Sequence, residues 1–411
     1  MQRAPALPQT SSIFQGWWQS PSIRIPVLIF IAARFLTLVV GVTAVQFGPV
    51  NNPYASDPIF LASMQARRPL GVVAILVEPW HRWDTGWYLK IAEQGYAADD
   101  GSIIFAPLYP ALMAATGLIV GDKLLGGLLV SSVACLAFLI LLYQLALRET
   151  GSDRTAWNAL LALAAFPTAF YLLAGYTEAT FMAFAAGALL AARDKRWWMA
   201  VPLAMCASLT RLQGWILFFP IGWLAFANLP RFWQAQPIGW MERLWQAIPR
   251  LAATAAGPLA SLSFMLYTSL SGLGSIGDAY TKDPWRLLIR PPWSVVIDAI
   301  GRVTAGQAGL TEVAGLVALT IIVAFALASV RVLPVFYHLY LWPTLVFILL
   351  RYYPLYLLNG TMRYVLDFFP IFITVGAILS SHTRWRVLWI GLGVILQVVM
   401  LFLFACWQWI A

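Results

Sequence analysis

The chain has 411 residues, 61% of them hydrophobic and 10% charged, against roughly 45–50% and about 25% in a soluble domain, which excludes a water-soluble fold. Gly 29 and Pro 25 without a short repeating period exclude collagen-like, low-complexity and solenoid architectures. The formal charge of +9 reads first as membrane topology, because no segment is basic enough to serve as a nucleic-acid footprint.

Residues 1–24 lack the basic, apolar and small-residue order of a cleaved signal and read as a cytoplasmic tail. From 25 to 411 the expectation is a single all-α polytopic membrane domain. A spanning helix needs about 20 mostly apolar residues. Eleven segments are read as crossings: 25–48, 124–147, 157–174, 176–192, 197–210, 213–228, 251–271, 311–330, 333–350, 364–381 and 387–408. Residues 107–120 are apolar but short, so a re-entrant or interfacial helix competes there with a crossing. If they do not cross, the short loops at 148–155, 193–196, 229–250, 331 and 382–386 place their arginines and lysines on the cytoplasmic side.

The long segments 49–106 and 272–310 then face outside. The first holds six of the seventeen acidic residues: Asp57, Glu78, Asp84, Glu93, Asp99 and Asp100. Its GVVAILVEPW stretch (71–80) is too short to span and is laid along the interface, with Trp80, Trp83 and Trp87 as anchors. The second, containing YTKDPWRLLIRPPW, is of the same kind. Cys135, Cys206 and Cys406 all lie in apolar runs and form no CxxC, which argues against disulfides and structural zinc.

The densest run of functional side chains is 81–96, HRWDTGWYLKIAEQGY. Asp84 is expected to cap a short amphipathic helix that Gly95 stops. Trp87, Tyr88, Ile91 and Ala92 form its apolar face, and Lys90, Glu93 and Gln94 its polar one. Two roles compete for Asp84: the cap alone, or a carboxylate partly desolvated between Trp83 and Trp87 that takes a proton. Arg211, Arg351 and Arg363 sit in short outer turns against the positive-inside tendency, where a guanidinium suits phosphate oxygens. Snorkelling to the interface competes; it is preferred for Arg351, and phosphate binding for Arg363. Glu178, opening a helix, is held by the helix dipole or else orients a substrate hydroxyl or an arginine. His81 reads as structural or as an aid to Asp84. Arg82, Glu93, Tyr109 and Tyr364 complete the substrate-orienting candidates. Asp99 and Asp100 form a solvated turn or, less favoured, hold a divalent metal.

RWDTGWYLKIAEQGY (82–96) followed by FAPLYP (105–110) resembles the first luminal loop of the multi-spanning glycosyltransferases that use lipid-phosphate sugars. Within these it is most similar to bacterial relatives of PIG-V, the second mannosyltransferase of GPI-anchor synthesis. FPTAFYLLAGYTEATF (166–181), TRLQG (210–214) and NGTMRYVLDFFP (359–370) echo the same family in order, so the likeness spans about 25–380. It implies the C-type membrane glycosyltransferase (GT-C) fold, a polyprenyl-phosphate sugar donor with mannose favoured, and a first-loop aspartate as general base. By motif position that aspartate is Asp84. Ala106 departs from the FFPLYP-like phrase common in the family.

The expected activity is inverting transfer of a sugar from polyprenyl phosphate to a hydroxyl of a glycan, lipid or protein, at the outer face of a bacterial cytoplasmic membrane. A metal is not required in principle, because the leaving group departs as a stable phosphate. No nucleotide-binding glycine motif is present. The rival is a transporter or flippase of lipid-linked sugars. It would show paired broken helices and midplane charges, whereas the candidate charges here crowd at one surface.

Overall fold

The computed structural model describes residues 20–49, 73–227, 229, 239–282 and 286–409. Most of the tail, residues 50–72 with Asp57, and Arg231 lie outside the described residues. Residues 21–24, read as tail, already belong to the first helix, Pro21–Phe47. The described chain is almost wholly helical; its one strand pair is Leu288–Ile289 antiparallel to Arg351–Tyr352.

The apolar segments are helical but of two kinds. Pro21–Phe47, Lys123–Thr150, Trp240–Leu270, Leu310–Arg331 and Thr383–Ala405 are long and apolar enough to cross alone. Thr361–Phe368 with Pro370–Ser381, bent by 77°, forms a broken span or a re-entrant loop. The others are shorter: Glu178–Arg193 has 16 residues, Trp197–Thr210 has 14 and Val335–Leu349 has 15. At 1.5 Å per residue these reach about 21–24 Å, short of a hydrocarbon core about 30 Å thick. The shortfall has a location. Glu178, Arg211 and Arg351 stand at or next to the ends of these short helices, so the ends floor a recess in one end of the bundle.

Leu108–Val120, at 13 residues, is also too short to cross. It folds back along the start of Lys123–Thr150, and glycines allow the approach: a Cβ on Gly126 would stand 2.6 Å from the Gly117 nitrogen. Its tip is lipid- or solvent-facing, with Leu118 and Ile119 82% and 85% exposed.

The basic short loops contact one another, and the first loop contacts later turns. At one end Arg148 pairs with Asp194, Arg193 with Glu149 at 3.4 Å, and Asn158 donates to the Ser380 hydroxyl at 2.9 Å. At the other, Arg82 Nε donates to the Ala405 carbonyl at 2.8 Å and Arg363 meets Asp84 at 2.7 Å.

Segments 157–174 and 176–192 are not two regular crossings. Asp153–Ala164 ends early, a 3-10 turn covers Ala169–Leu172, and the helix resumes at Glu178. Away from water an unbonded carbonyl costs several kcal/mol, so a break of this kind must be satisfied by other parts of the protein. Arg34 donates to Leu173 O at 3.1 Å, Gln397 to Ala164 O and Phe166 O at 3.2 Å, and the Thr168 hydroxyl to Met362 O at 3.0 Å. After the break Glu178 lines the recess, and the buried rings of Tyr171 and Tyr176 lie 5.5 and 5.3 Å from the Arg363 guanidinium.

Candidate active site

Asp84 is not the cap. The helix Asp84–Gln94 begins at Asp84 itself, Trp83 takes the cap position, and Gly95 ends the helix with φ 78°. The carboxylate is drawn from the amides of the first turn by a stronger partner, Arg363, whose Nη1 lies 2.7 Å from Oδ2. Trp83 takes φ 52° and ψ −123°, a backbone region that favours glycine and costs on the order of 1–3 kcal/mol for another residue. Its indole is wedged edge-on between Trp409 at 5.0 Å and Trp407 at 6.0 Å. The turn is seated on the break: the Asp84 amide donates to the Tyr176 hydroxyl at 3.3 Å, and the Thr85 hydroxyl to the Gly175 carbonyl at 3.3 Å. A Cβ on Gly175 would lie 2.9 Å from the Thr85 methyl, so this contact needs glycine.

From Asp84 a chain of alternating charges runs into the protein. Arg363 Nε lies 3.4 Å from Glu178 Oε1, and Arg211 Nη1 donates to the same oxygen at 2.7 Å. Arg211 Nη2 lies 3.2 Å from Asp367 Oδ2, which also accepts from Gln213 at 2.8 Å. The side chains of Glu178 and Asp367 are 1% and 0% exposed, against 17% for Asp84, so Asp84 is the end that meets solvent.

Arg351 is held differently. Its guanidinium donates to the hydroxyls of Tyr353 at 2.6 Å and Tyr364 at 3.2 Å, and lies 5.9 Å from the centre of the Tyr280 ring. Among the described residues its partners are tyrosines, not carboxylates. Asp84, Glu178, Arg211, Arg351, Arg363 and Tyr364 together line a half-open cleft with a cavity volume of about 150 Å³.

The remaining expected site residues stand outside that lining. Tyr109 is fully buried, donating at 3.1 Å to Gly127 O and lying 2.9 Å from the Ser131 hydroxyl; its ring packs edge-on to Tyr88. Glu93 is tied to Lys123 at 2.7 Å, anchoring the helix to the start of the neighbouring long one. Lys90, read as part of a polar face, is buried and pairs with Asp100. Burial pushes the Asp100 carboxyl up, but hydrogen bonds from Lys90 and Ser102 outweigh that and hold it below its usual value. Asp99 faces solvent beside Lys282 at 3.2 Å, so the two aspartates diverge onto separate cations. No group of three or more His, Cys, Asp or Glu stands together among the described residues.

His81 is buried behind the cleft. Arg82 clamps the first loop to the last helix through Ala405 O at 2.8 Å and Glu78 O at 2.9 Å, and stacks 4.5 Å over Trp407. Burial pulls its guanidinium down to about 10, against the opposing pull of Glu78.

Sequence reasoning passed over Asp367, Gln213 and Trp409. The first two carried a signal: Asp367 is an acid within an apolar run, expensive unless paired, and Gln213 lies in the TRLQG turn. Trp409 reads from sequence as one more interfacial aromatic.

No protein-family model matches the chain. Among curated proteins it is similar to GPI alpha-1,6-mannosyltransferase 2 of Homo sapiens, 27% identical over 276 residues, covering 63% of this chain and 54% of the relative. The protein of the same name from Cricetulus griseus is 27% identical over 275 residues, with the same coverage of each chain. The chain spans about half the length of the curated relatives it matches.

Proposed function

We propose that the chain is a membrane-embedded mannosyltransferase that moves mannose from a polyprenyl-phosphate donor to an acceptor hydroxyl. The observation that carries this reading is Asp84: a carboxylate at the solvent end of a buried charge chain, lining a recess in a polytopic membrane protein. The similarity to mannosyltransferases supports mannose as the sugar. The basic short loops at the opposite end, together with the resemblance to bacterial family members, favour a bacterial cytoplasmic membrane with the cleft outside.

In this reading Arg363 holds Asp84 Oδ2, and Oδ1 takes the acceptor's proton. A carboxylate is a far weaker base than an alkoxide, so the proton moves as the new bond forms rather than before it. The acceptor oxygen bonds to the anomeric carbon, the bond from that carbon to the phosphate oxygen breaks, and its electron pair leaves with the phosphate. Attack opposite the phosphate inverts the centre. The phosphate falls to Arg351 rather than Arg363, because Arg363 is already held between two carboxylates. Tyr353 and Tyr364 hold the Arg351 fork at the membrane-proximal end of the donor, where it stabilises the charge on the departing group.

Purified protein offered polyprenyl-phosphate mannose and a panel of hydroxyl acceptors is expected to yield a product heavier by one hexose, read by mass spectrometry. Folded protein that transfers from no polyprenyl-phosphate sugar overturns the proposal. Within it, Arg351→Lys replaces a planar fork by a point charge and is expected to weaken donor binding about 10–100-fold, the equivalent of one or two charged hydrogen bonds. Donor affinity unchanged within about twofold removes Arg351 from the phosphate site.

A further inference from the structure

Resting on that reading, we propose that Trp409 is a specificity-determining residue: its indole is the platform on which the ring of the acceptor sugar packs beside Asp84. After the helix Thr383–Ala405 the chain turns at Cys406 and Trp407, and Trp409 reaches the wall of the cleft, where its partly exposed ring lines the space shared with Asp84 and Arg363. Three contacts fix the plane of that ring. Its Nε1 donates to Asn359 Oδ1 at 2.8 Å, it lies edge-on to Trp83 at 5.0 Å, and the Arg363 guanidinium stands 6.0 Å from its centre. Trp409 thus spans the turn before Asp84 and the turn before Arg363, the two halves of the ion pair at the base.

The chemistry of the surface fits a sugar ring. An indole face offers a broad apolar area to the C–H face of a hexose, while a neighbouring carboxylate accepts from its hydroxyls. The position fits the acceptor rather than the donor. Trp409 touches Trp83, the neighbour of Asp84, and stands 6.0 Å from Arg363, the partner of Asp84, whereas Arg351 is held by Tyr353, Tyr364 and Tyr280. A donor phosphate at Arg351 is therefore held by residues other than those Trp409 touches. The molecule that gives its hydroxyl to Asp84 lies on the Trp409 side.

The test uses the full chain in detergent, with dodecyl α-mannoside, dodecyl β-glucoside and ring-less dodecanol as probes. Binding is measured at equilibrium and turnover with polyprenyl-phosphate mannose, in wild type, Trp409→Phe and Trp409→Ala. Wild type is expected to bind the glycosides at least tenfold more tightly than dodecanol. Trp409→Ala is expected to collapse that preference to within about twofold while the donor KM stays near normal, and Trp409→Phe to restore most of it. Trp407→Phe, on the Arg82 side of the same turn, is expected to keep the preference and controls for disturbance of the segment. A preference that survives in Trp409→Ala, or a donor KM that rises as much as the acceptor KM, overturns the assignment. Because the probe binding needs no turnover, a wild type that binds glycosides selectively but transfers from no donor counts against the proposed function and leaves the platform standing.

Discussion

Asp84→Asn is expected to lower turnover by about 10²–10⁴-fold with donor binding close to wild type, the range for removal of a general base. Asparagine keeps the size of the side chain and one oxygen for Arg363 but has no proton affinity to offer an acceptor hydroxyl. The structure makes the substitution cleaner than a capping role allows. Asp84 does not accept from its own helix, and Arg363 keeps Glu178 at 3.4 Å when the negative charge at Asp84 is lost. Steady-state kinetics with both substrates, accompanied by thermal unfolding in the same detergent, provide the check. A loss below tenfold in a folded variant rules out Asp84 as the base and moves attention to Glu178, the other carboxylate lining the cleft.

Glu178→Met is expected to be the most destabilising single change at the site. Glu178 Oε1 is shared by Arg211 and Arg363, and its side chain is 1% exposed. Removing it leaves two guanidinium groups, 12% and 8% exposed, with only Asp367 and Asp84 to balance them. Breaking a buried ion pair from one side costs about 3–5 kcal/mol, because the abandoned charge stays buried. Replacing both partners, Glu178→Met with Arg211→Met, is expected to recover part of that loss, since the double change removes charge of both signs. For a multi-pass protein the usable readout is the half-life of the folded state at a fixed elevated temperature. A single variant as long-lived as wild type, or a double variant whose loss equals the sum of the two singles, refutes a coupled charge chain.

Much of this architecture is legible in the sequence because it follows from solvent. The apolar runs mark helices, the basic short loops mark one end of the bundle, and arginines at the other end mark a site, since a charge at membrane depth persists only with a partner. Arg211, Arg363 and Glu178 were legible as candidates for that reason. Their pairing was not: that Arg363 meets Asp84, 279 residues earlier, depends on how distant helices pack. The break at 165–177 was hidden because FPTAFYLLAG is as apolar as a helix, and periodicity cannot report hydrogen bonds supplied by other segments. Lys90 illustrates the limit within a single helix. Its spacing from Glu93 and Gln94 gave a polar face, but the partner that buries it, Asp100, arrives from the following turn.

The clamp at Arg82 bears on how the protein is made. Arg82 Nε meets a carbonyl 323 residues later in the chain, and Gln397 closes the break at 164–166 from a distance of more than 230 residues. A ribosome therefore delivers the turn of the base, and the unwound stretch beneath it, long before the residues that hold them exist. Throughout that interval Arg82 and the open carbonyls of the break lack these partners, and the nascent protein carries an unfinished cleft. The helix Thr383–Ala405, only 22% buried against the rest of the protein, completes that end of the bundle on insertion. Its loss thus affects biogenesis as much as chemistry: a chain stalled before it has every charge of the cleft, but not the clamp that seats the first loop.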